Sequence, residues 1–281
     1  MGKIYTALGL MSGTSGDGID ASIVKSNGQN EYKTIANKLY RYTENTKTKI
    51  HRLKENIKTP SDLNDFSKEI HLLEEEITSY HIEASQDMQK NYDFDLIGFH
   101  GQTILHIPEK KISKQIGLGK KLSNLTKKTV VHNFRKNDLN NGGQGAPLAP
   151  IFHKLIVKQK KLKLPSTILN IGGISNITTI NDKFEISSSD IGPGNCLIDR
   201  WIRLNSKKKF DKDGSIARSG KIDKSILKKQ INLFNSSEII KKKSFDIKDF
   251  IFFLGEDLKI KKSMTIENGA AIFTAITSEI L

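Results

Sequence analysis

Residues 4–24 read IYTALGLMSGTSGDGIDASIV, and this stretch decides the fold. Residues 4–11 are largely apolar and predict a buried strand, whereas residues 19–24 alternate apolar with polar or small side chains, as a half-buried strand does. The loop between them carries glycines at 13, 16 and 18 and therefore joins strand to strand, which predicts a β-hairpin. It is neither a Walker loop nor a dinucleotide-binding fingerprint, because no Gly-Lys-Ser/Thr sequence and no helix follows it.

The loop has the chemistry of an anion site. Its glycines free the backbone for positive φ and let N–H groups converge on a phosphate. Thr14 and Ser15 add hydroxyl donors, and Asp17 places a carboxylate at the tip, where it could hold Mg²⁺ directly or through water. A glycine-rich hairpin without a ligand explains the same residues, so the loop alone leaves both interpretations open.

Strands and helices interleave along the rest of the chain, which predicts an α/β layer architecture. Residues 45–90 are helical in pattern, with a break at Pro60 and a second helix that Ser61 could cap. Further strands are predicted at 95–99, 129–131, 167–171, 174–180 and 184–190, and further helices at 151–157, 197–204 and 265–281. We predict two domains, residues 1–127 and residues 128–281.

Two other groups of residues indicate chemistry. Asp190 ends a predicted strand and is followed by the glycine-rich segment 191–195, so it could act as a general base or meet a metal-bridged phosphate. An ordinary turn is the alternative, because Asp, Gly, Pro and Asn all favour turns. The second group is a set of polar side chains that would suit a sugar or its carboxylate, with the arginine as a planar clamp. It comprises His100, Gln102, Asn133, Arg135, Asp138 and Gln144.

Composition excludes several classes of protein. A single cysteine in 281 residues rules out a disulfide scaffold, and no apolar run reaches the length of a membrane span. The start shows no cleavage site for a signal peptide, so we expect none. The net charge of +14 raises nucleic-acid binding as a hypothesis, but only six of the 45 basic residues are arginines and only 7% of residues are aromatic. We therefore expect a lysine-rich surface, with neither nucleic acid nor membrane as a partner.

Five motifs in order resemble those of the anhydro-N-acetylmuramic acid kinases. They are residues 9–20, FHGQT at 99–103, Phe134-Arg135 with Asp138 and GGQGAPL at 142–148, NIGGI at 170–174 with Asn176, and Asp190 with GPGN at 192–195. The resemblance implies the two-domain, actin-like sugar-kinase fold, which is ribonuclease H-like. It also implies an ATP-dependent kinase that opens 1,6-anhydro-N-acetylmuramic acid with water and phosphorylates its oxygen 6, giving N-acetylmuramic acid 6-phosphate in peptidoglycan recycling.

The resemblance also implies roles for individual residues. Asp190 corresponds to the base that activates the water. The expected cofactors are ATP and Mg²⁺, and the expected partners are the amino sugar and ATP. The expected compartment is the cytoplasm. Whether the protein forms a homodimer stays open. The phosphate loop for ATP corresponds to Gly13, Thr14, Ser15, Gly16, Asp17, Gly18, Ile19 and Asp20. The sugar contacts correspond to His100, Gln102, Arg135 and Asp138.

The sequence departs from the family pattern at several positions, among them Asn133 and Leu118, which stand where the family often has Asp. Gly16 stands where the family usually has Leu, which we expect to loosen the phosphate loop. The resemblance also implies that the family continues past the position of Leu281, so we expect the second domain to be incomplete at its C-terminal side. A truncated, non-catalytic sugar-binding remnant of the same family is therefore the alternative function.

Overall fold

The computed structural model describes residues 2–13, 15–241, 245, 247–254 and 264–281. The chain forms two compact units, Met1–Lys161 and Leu162–Leu281. The sequence predicts a domain boundary after residue 127, whereas the compact units divide after Lys161. The reason for the difference is that the strand Thr129–His132 pairs with a strand of the first sheet, which keeps the following helices with the first unit.

A six-stranded mixed sheet forms the first unit. Its strands follow the order β3-β2-β1-β4-β5, and β6 also pairs with β4. The β1–β2 and β2–β3 pairs are antiparallel, which confirms the predicted hairpin, and β4 lies parallel to β1. The strands are β1 (Tyr5–Ser12), β2 (Gly18–Ser26), β3 (Tyr32–Arg41), β4 (Leu96–Ile107), β5 (Ile112–Ile116) and β6 (Thr129–His132).

Alternation of side chains places one face of this sheet in the core. Leu8 and Leu10 of β1, and Ile19, Ala21 and Ile23 of β2, are all buried, and each is two residues from the next along its strand. Successive strand residues point to opposite faces, so these five share one face. Burial of this face against helices gives the unit a single apolar core.

Among its described residues the first unit has six helices and a short 3₁₀ turn at Pro108–Lys110. The helices are α1 (Glu44–Asn56), α2 (Asp62–Asp65), α3 (Ser67–Gln89), α4 (Gly119–Thr126), α5 (Phe134–Asn140) and α6 (Pro150–Lys160). Ser61 stands at the N-cap position of the short helix α2 without a side-chain cap hydrogen bond, and the long helix α3 starts at Ser67. Its buried residues Ile70, Leu73 and Ile77 recur at helical spacing and face the core. In the segment between α1 and α2, the Asp62 carboxylate accepts the backbone N–H groups of Lys58 and Thr59 and holds the turn that precedes α2.

The second unit combines a three-stranded antiparallel sheet with helices. The sheet has the order β7-β8-β9, which confirms the predicted strand pair around residues 172–173. Its elements are β7 (Ser166–Ile171), β8 (Ile174–Ile180), β9 (Ile186–Pro193), α7 (Cys196–Asn205), α8 (Ser215–Ser219), α9 (Lys224–Ser236) and α10 (Ile266–Ile280), with 3₁₀ segments at Lys212–Gly214, Glu238–Lys241 and Ile247–Leu254. The mixed α/β class is therefore confirmed.

Helix α10 is held in the second unit by a close contact with α7. The Trp201 indole N–H donates to the carbonyl oxygen of Ile266 at 2.8 Å. A Cβ atom at Gly269 would lie 2.0 Å from the Trp201 ring, so only glycine allows the helix to approach this closely. Ala270, Phe273 and Ile276 are buried along the same helix, as its amphipathic pattern predicts. Within the described ranges, no helix is both long and apolar enough to cross a membrane.

Candidate active site

The glycine loop connects β1 to β2 through a tight turn. The Gly16 N–H donates to the Gly13 carbonyl oxygen at 3.1 Å, and Gly16 has a φ of +64°, which a side chain would strain. At the start of β2, a Cβ atom on Gly18 would lie 2.2 Å from the carbonyl oxygen of Tyr40 on β3. These two glycines are therefore required by the backbone itself.

Exposure separates the predicted ATP-loop residues into two groups. The side chains of Ser15, Asp17 and Asp20 are exposed, whereas Ile19 is completely buried in the core of the first unit. Thr14 lies outside the described residues. The hydroxyl of Ser15 and the two carboxylates are thus available to a ligand, while Ile19 anchors the start of β2.

A β-bulge in β4 faces the end of β1. The parallel register runs from Leu10 opposite Phe99 to Ser12 opposite Gln102, so β4 has one extra residue. Gly101 lies within the bulge with a φ of +72°, and a Cβ atom there would lie 2.5 Å from the carbonyl oxygen of Ile116. The bulge brings the Gln102 side chain against the start of the glycine loop.

Gln102 is completely buried, and its amide binds protein groups. Its Oε1 accepts from the Ser12 hydroxyl at 2.5 Å, and its Nε2 donates to the Gly13 carbonyl oxygen at 3.1 Å. A second Nε2 bond, of 3.2 Å, goes to the carbonyl oxygen of Thr103. The side chain thus has no exposed surface and donates both amide hydrogens to protein carbonyl oxygens, a geometry that does not favour the sugar contact predicted for Gln102.

His100 and Arg135 form a half-buried pair between β4 and α5. The Arg135 Nε–H donates to His100 Nε2 at 2.9 Å. His100 Nδ1 lies 2.8 Å from the Gly101 carbonyl oxygen, and because that oxygen can only accept, Nδ1 carries the proton. Burial, together with the nearby Arg135 charge, lowers the pKa of His100, and burial lowers the pKa of Arg135. The imidazole is therefore neutral and orients the guanidinium.

Asp138 organises the loop that follows α5. Its carboxylate Oδ2 accepts the Gly145 N–H at 2.7 Å, and its carbonyl oxygen accepts the Gly143 N–H at 2.9 Å. A Cβ atom on Gly143 would lie 2.1 Å from that same Oδ2, so glycine is needed beside the carboxylate. The predicted sugar contacts Arg135 and Asp138 thus lie one helical turn apart on α5, and Asp138 also shapes the loop at 142–147.

His106, which no sequence motif singles out, lies in the same region. His106 Cε1 would be 3.2 Å from a Cβ atom on Gly145, and its Nδ1 lies 3.0 Å from the Ser113 hydroxyl. Burial and the nearby charge of Arg135 lower the pKa of His106. His106 lies outside the FHGQT segment. The sequence indicates its location only through its place six residues after His100 on the same apolar strand.

Asp190, the predicted base, lies in β9 of the second unit and is half-buried. Its Oδ2 accepts the backbone N–H of Phe245 at 2.8 Å. A register shift between Ser175 and Asn176 makes Asp190 the partner of Asn176, leaving Ile191 as the extra residue of β9. A bulge of this kind often re-aims a side chain beside a functional site.

Two glycine turns support the end of β9. The Asn195 N–H donates to the Gly172 carbonyl oxygen at 2.7 Å, and the Gly194 N–H donates to the Gly173 carbonyl oxygen at 3.0 Å. A Cβ atom on Gly194 would lie 2.2 Å from the Gly172 oxygen, so the turns touch through their backbones. Thr277 of α10 donates its hydroxyl to the Gly194 carbonyl oxygen at 2.9 Å. The segment after Asp190 is therefore fixed from two sides.

The acidic residues of the site do not form a metal-binding cluster by themselves. Among the residues that the structure describes, no group of three or more His, Cys, Asp or Glu side chains could hold a metal ion. Asp17 lies in the glycine loop and Asp20 stands three residues further along the chain, and both carboxylates are exposed. Mg²⁺ in kinases is bound by one or two carboxylates together with substrate phosphates, and this donor set fits that pattern.

Comparison with known proteins finds a matching family model and several similar relatives. The sequence model of the anhydro-N-acetylmuramic acid kinases matches residues 5–238. An anhydro-N-acetylmuramic acid kinase of Pelagibacter ubique is 47% identical over 285 aligned residues, which cover 100% of this chain and 74% of the relative. The kinases of Agrobacterium fabrum and Zymomonas mobilis are 35% and 34% identical, over 89% and 97% of this chain and over 69% and 74% of their own lengths.

Proposed function

The chain belongs to the anhydro-N-acetylmuramic acid kinase family, and on this premise we propose that it phosphorylates 1,6-anhydro-N-acetylmuramic acid with ATP. The observation that carries the proposal is the 47% identity to a relative of that name over the whole chain. The product would be N-acetylmuramic acid 6-phosphate, which places the reaction in peptidoglycan recycling. We also propose the two-domain actin-like arrangement and a cytoplasmic location.

The glycine loop is our candidate for the ATP phosphates. Backbone N–H groups near glycines with positive φ form concave anion sites, and Gly16 supplies such a position. The exposed Ser15 hydroxyl adds a donor. Asp17 and Asp20 would hold the Mg²⁺ that accompanies ATP, whose charge neutralises the transferred phosphoryl group. Phosphoryl transfer needs mainly positioning and electrostatic stabilisation, which a backbone-fixed loop provides.

The sugar side is assigned to the His100–Arg135 pair and to Asp138. Muramic acid carries a carboxylate, and a guanidinium binds carboxylates through two parallel hydrogen bonds. Arg135 donates its Nε–H to the neutral His100. The outer edge of the guanidinium, with its two terminal nitrogens, is therefore left to bind the carboxylate of the sugar. Partial burial of this pair strengthens the electrostatic attraction to an anionic ligand, because the surroundings screen it less than water does.

Asp190 would be the base of the hydrolytic step. The anhydro bond is an internal acetal, so its cleavage requires a nucleophile at carbon 1 and relief of negative charge at oxygen 6. Asp190 would take a proton from a water molecule as that water attacks carbon 1, and oxygen 6 would leave the acetal and accept the γ-phosphoryl group. The Phe245 N–H holds one carboxylate oxygen of Asp190 and limits its rotation.

The experiment is a coupled assay of ADP release in the presence of the anhydro sugar, carried out in H₂¹⁸O. We expect sugar-dependent ADP release, phosphate on oxygen 6 and one ¹⁸O atom at carbon 1. Asp190→Asn keeps the acceptor of the Phe245 N–H but removes the base, so turnover should fall by roughly 10²–10⁴-fold.

Controls separate this proposal from the sugar-binding remnant. Sugar binding measured by calorimetry, without any sugar-dependent ADP release, would favour the non-catalytic remnant. ¹⁸O located in the phosphate and not at carbon 1 would contradict attack of water on the acetal. Asp182→Asn changes an exposed aspartate of the same unit and should leave turnover unchanged.

A further inference from the structure

A buried chain of hydrogen bonds lies behind the glycine loop. The Tyr42 hydroxyl donates to the Ser12 hydroxyl at 3.0 Å, the Ser12 hydroxyl donates to Gln102 Oε1 at 2.5 Å, and Gln102 Nε2 donates to the Gly13 carbonyl oxygen at 3.1 Å. All three side chains are at most 3% exposed. Each donor in this chain has one acceptor in the next group, so the direction of donation is fixed from Tyr42 to Gly13.

The same residues hold the loop at both ends. Gln102 binds the carbonyl oxygen of Gly13, where the loop begins, and the backbone N–H of Tyr42 donates to the carbonyl oxygen of Asp17 at 3.1 Å, where it ends. Burial raises the pKa of Tyr42, so its hydroxyl stays protonated and remains a donor. The loop is therefore clamped between the residue that follows β3 and the bulged part of β4.

We propose that Gln102 is a positioning residue for the nucleotide, which holds the glycine loop in the conformation that binds the ATP phosphates. This proposal rests on the proposed function. A buried polar group without its partner is costly, so the loop stays closed on Gln102 as long as the amide is present. The role requires an amide in particular, because Oε1 must accept from Ser12 while Nε2 donates to Gly13.

The test compares two glutamine-to-methionine variants of the full chain. Gln102→Met keeps the length of the side chain and removes all of its hydrogen bonds. Gln230→Met is the matched control, because Gln230 is also buried, at 3% exposed, but lies in α9 of the second unit. ATP and the anhydro sugar are titrated separately by calorimetry, and exchange of the amides of residues 12–20 is followed by hydrogen–deuterium exchange.

For Gln102→Met we expect ATP binding about tenfold weaker, as for the loss of one hydrogen bond to a positioned group, and sugar binding within about twofold of wild type. Exchange of the Gly16 amide, which depends on the Gly13 carbonyl oxygen, should become faster. Ser12→Ala should weaken ATP binding less, and Ser12→Thr, which retains a hydroxyl, should restore it. Gln230→Met should change neither measurement.

Wild-type affinity for ATP in a folded Gln102→Met protein would overturn the proposal, and so would an equal loss in Gln230→Met. A joint loss of ATP and sugar affinity would show a merely structural role. If the wild-type chain binds the sugar but no ATP, the proposed function fails. The exchange of residues 12–20 then still decides whether Gln102 holds the loop.

Discussion

A double-mutant cycle between Asp138 and Gly143 tests how the loop beside the proposed sugar contacts is built. In Gly143→Ala the new Cβ atom would lie 2.1 Å from Asp138 Oδ2 and 2.4 Å from its Cγ, so the carboxylate must move. That movement breaks its 2.7 Å bond from the Gly145 N–H. A hydrogen bond to a charged acceptor contributes about 1.5–3 kcal/mol to stability.

The net effect follows from two opposing contributions. Gly143 does not have a positive φ, so alanine adds no backbone strain and removes about 0.4–1 kcal/mol of unfolded-state entropy in favour of folding. We therefore expect Gly143→Ala to lower the free energy of unfolding by about 1–2 kcal/mol. In an Asp138→Ala background the carboxylate is absent, and Gly143→Ala should then raise the free energy of unfolding by roughly 0.5 kcal/mol.

The assay is urea unfolding of the four proteins, followed by far-UV circular dichroism. Fluorescence of the single tryptophan, Trp201, follows unfolding of the second unit in the same samples. The expected coupling between the two substitutions is about 1.5–3 kcal/mol. Additive effects within about 0.5 kcal/mol would refute the view that the Asp138 carboxylate fixes this loop.

Three further predictions concern pH, the hairpin and the sugar contact. Burial lowers the pKa of His81 from 6.5 to about 4, so its stability contribution is complete above pH 6.5 and is lost as pH falls. Between pH 8 and pH 5 that loss is about 2 kcal/mol, and unfolding of His81→Leu should depend less on pH by this amount. Gly18→Ala should lower Tm by several degrees and weaken ATP binding, since its Cβ atom would lie 2.2 Å from a β3 carbonyl oxygen; an unchanged Tm would contradict this. Arg135→Lys should raise the KM for the sugar about tenfold and leave the KM for ATP unchanged, because lysine lacks the planar fork; equal changes in both would argue against a sugar-side role.

Local patterns were enough to predict several elements. The hairpin of β1 and β2 follows from two apolar segments around a glycine-rich loop, and both strands form as expected. Helix α10 follows from the spacing of Ala270, Phe273 and Ile276, which are buried. In each case the signal lies in residues close in sequence, where alternation or helical spacing reports directly on burial.

Other features depend on contacts between distant residues and could not be predicted. Nothing near Gly101 in the sequence shows that β4 is bulged, because the bulge exists only relative to β1 and to the Ile116 carbonyl oxygen. The residue type and the motif of Gln102 predict a sugar contact, whereas its hydrogen bonds to Ser12 and Gly13 join residues about 90 positions apart and leave no trace in the local sequence. The strand Thr129–His132 likewise belongs to the first sheet only through its pairing with β4.

The bulge at Gly101 has a consequence for how the protein tolerates mutation. The residue before it, His100, binds Arg135, and the residue after it, Gln102, binds the start of the glycine loop. A substitution at Gly101 would shift both neighbours together, so affinity for the sugar and affinity for the nucleotide should fall in the same variant. Random mutagenesis should therefore yield substitutions at His100 or Gln102 that lower the affinity for only one of the two ligands. Every substitution at Gly101 should lower the affinity for both.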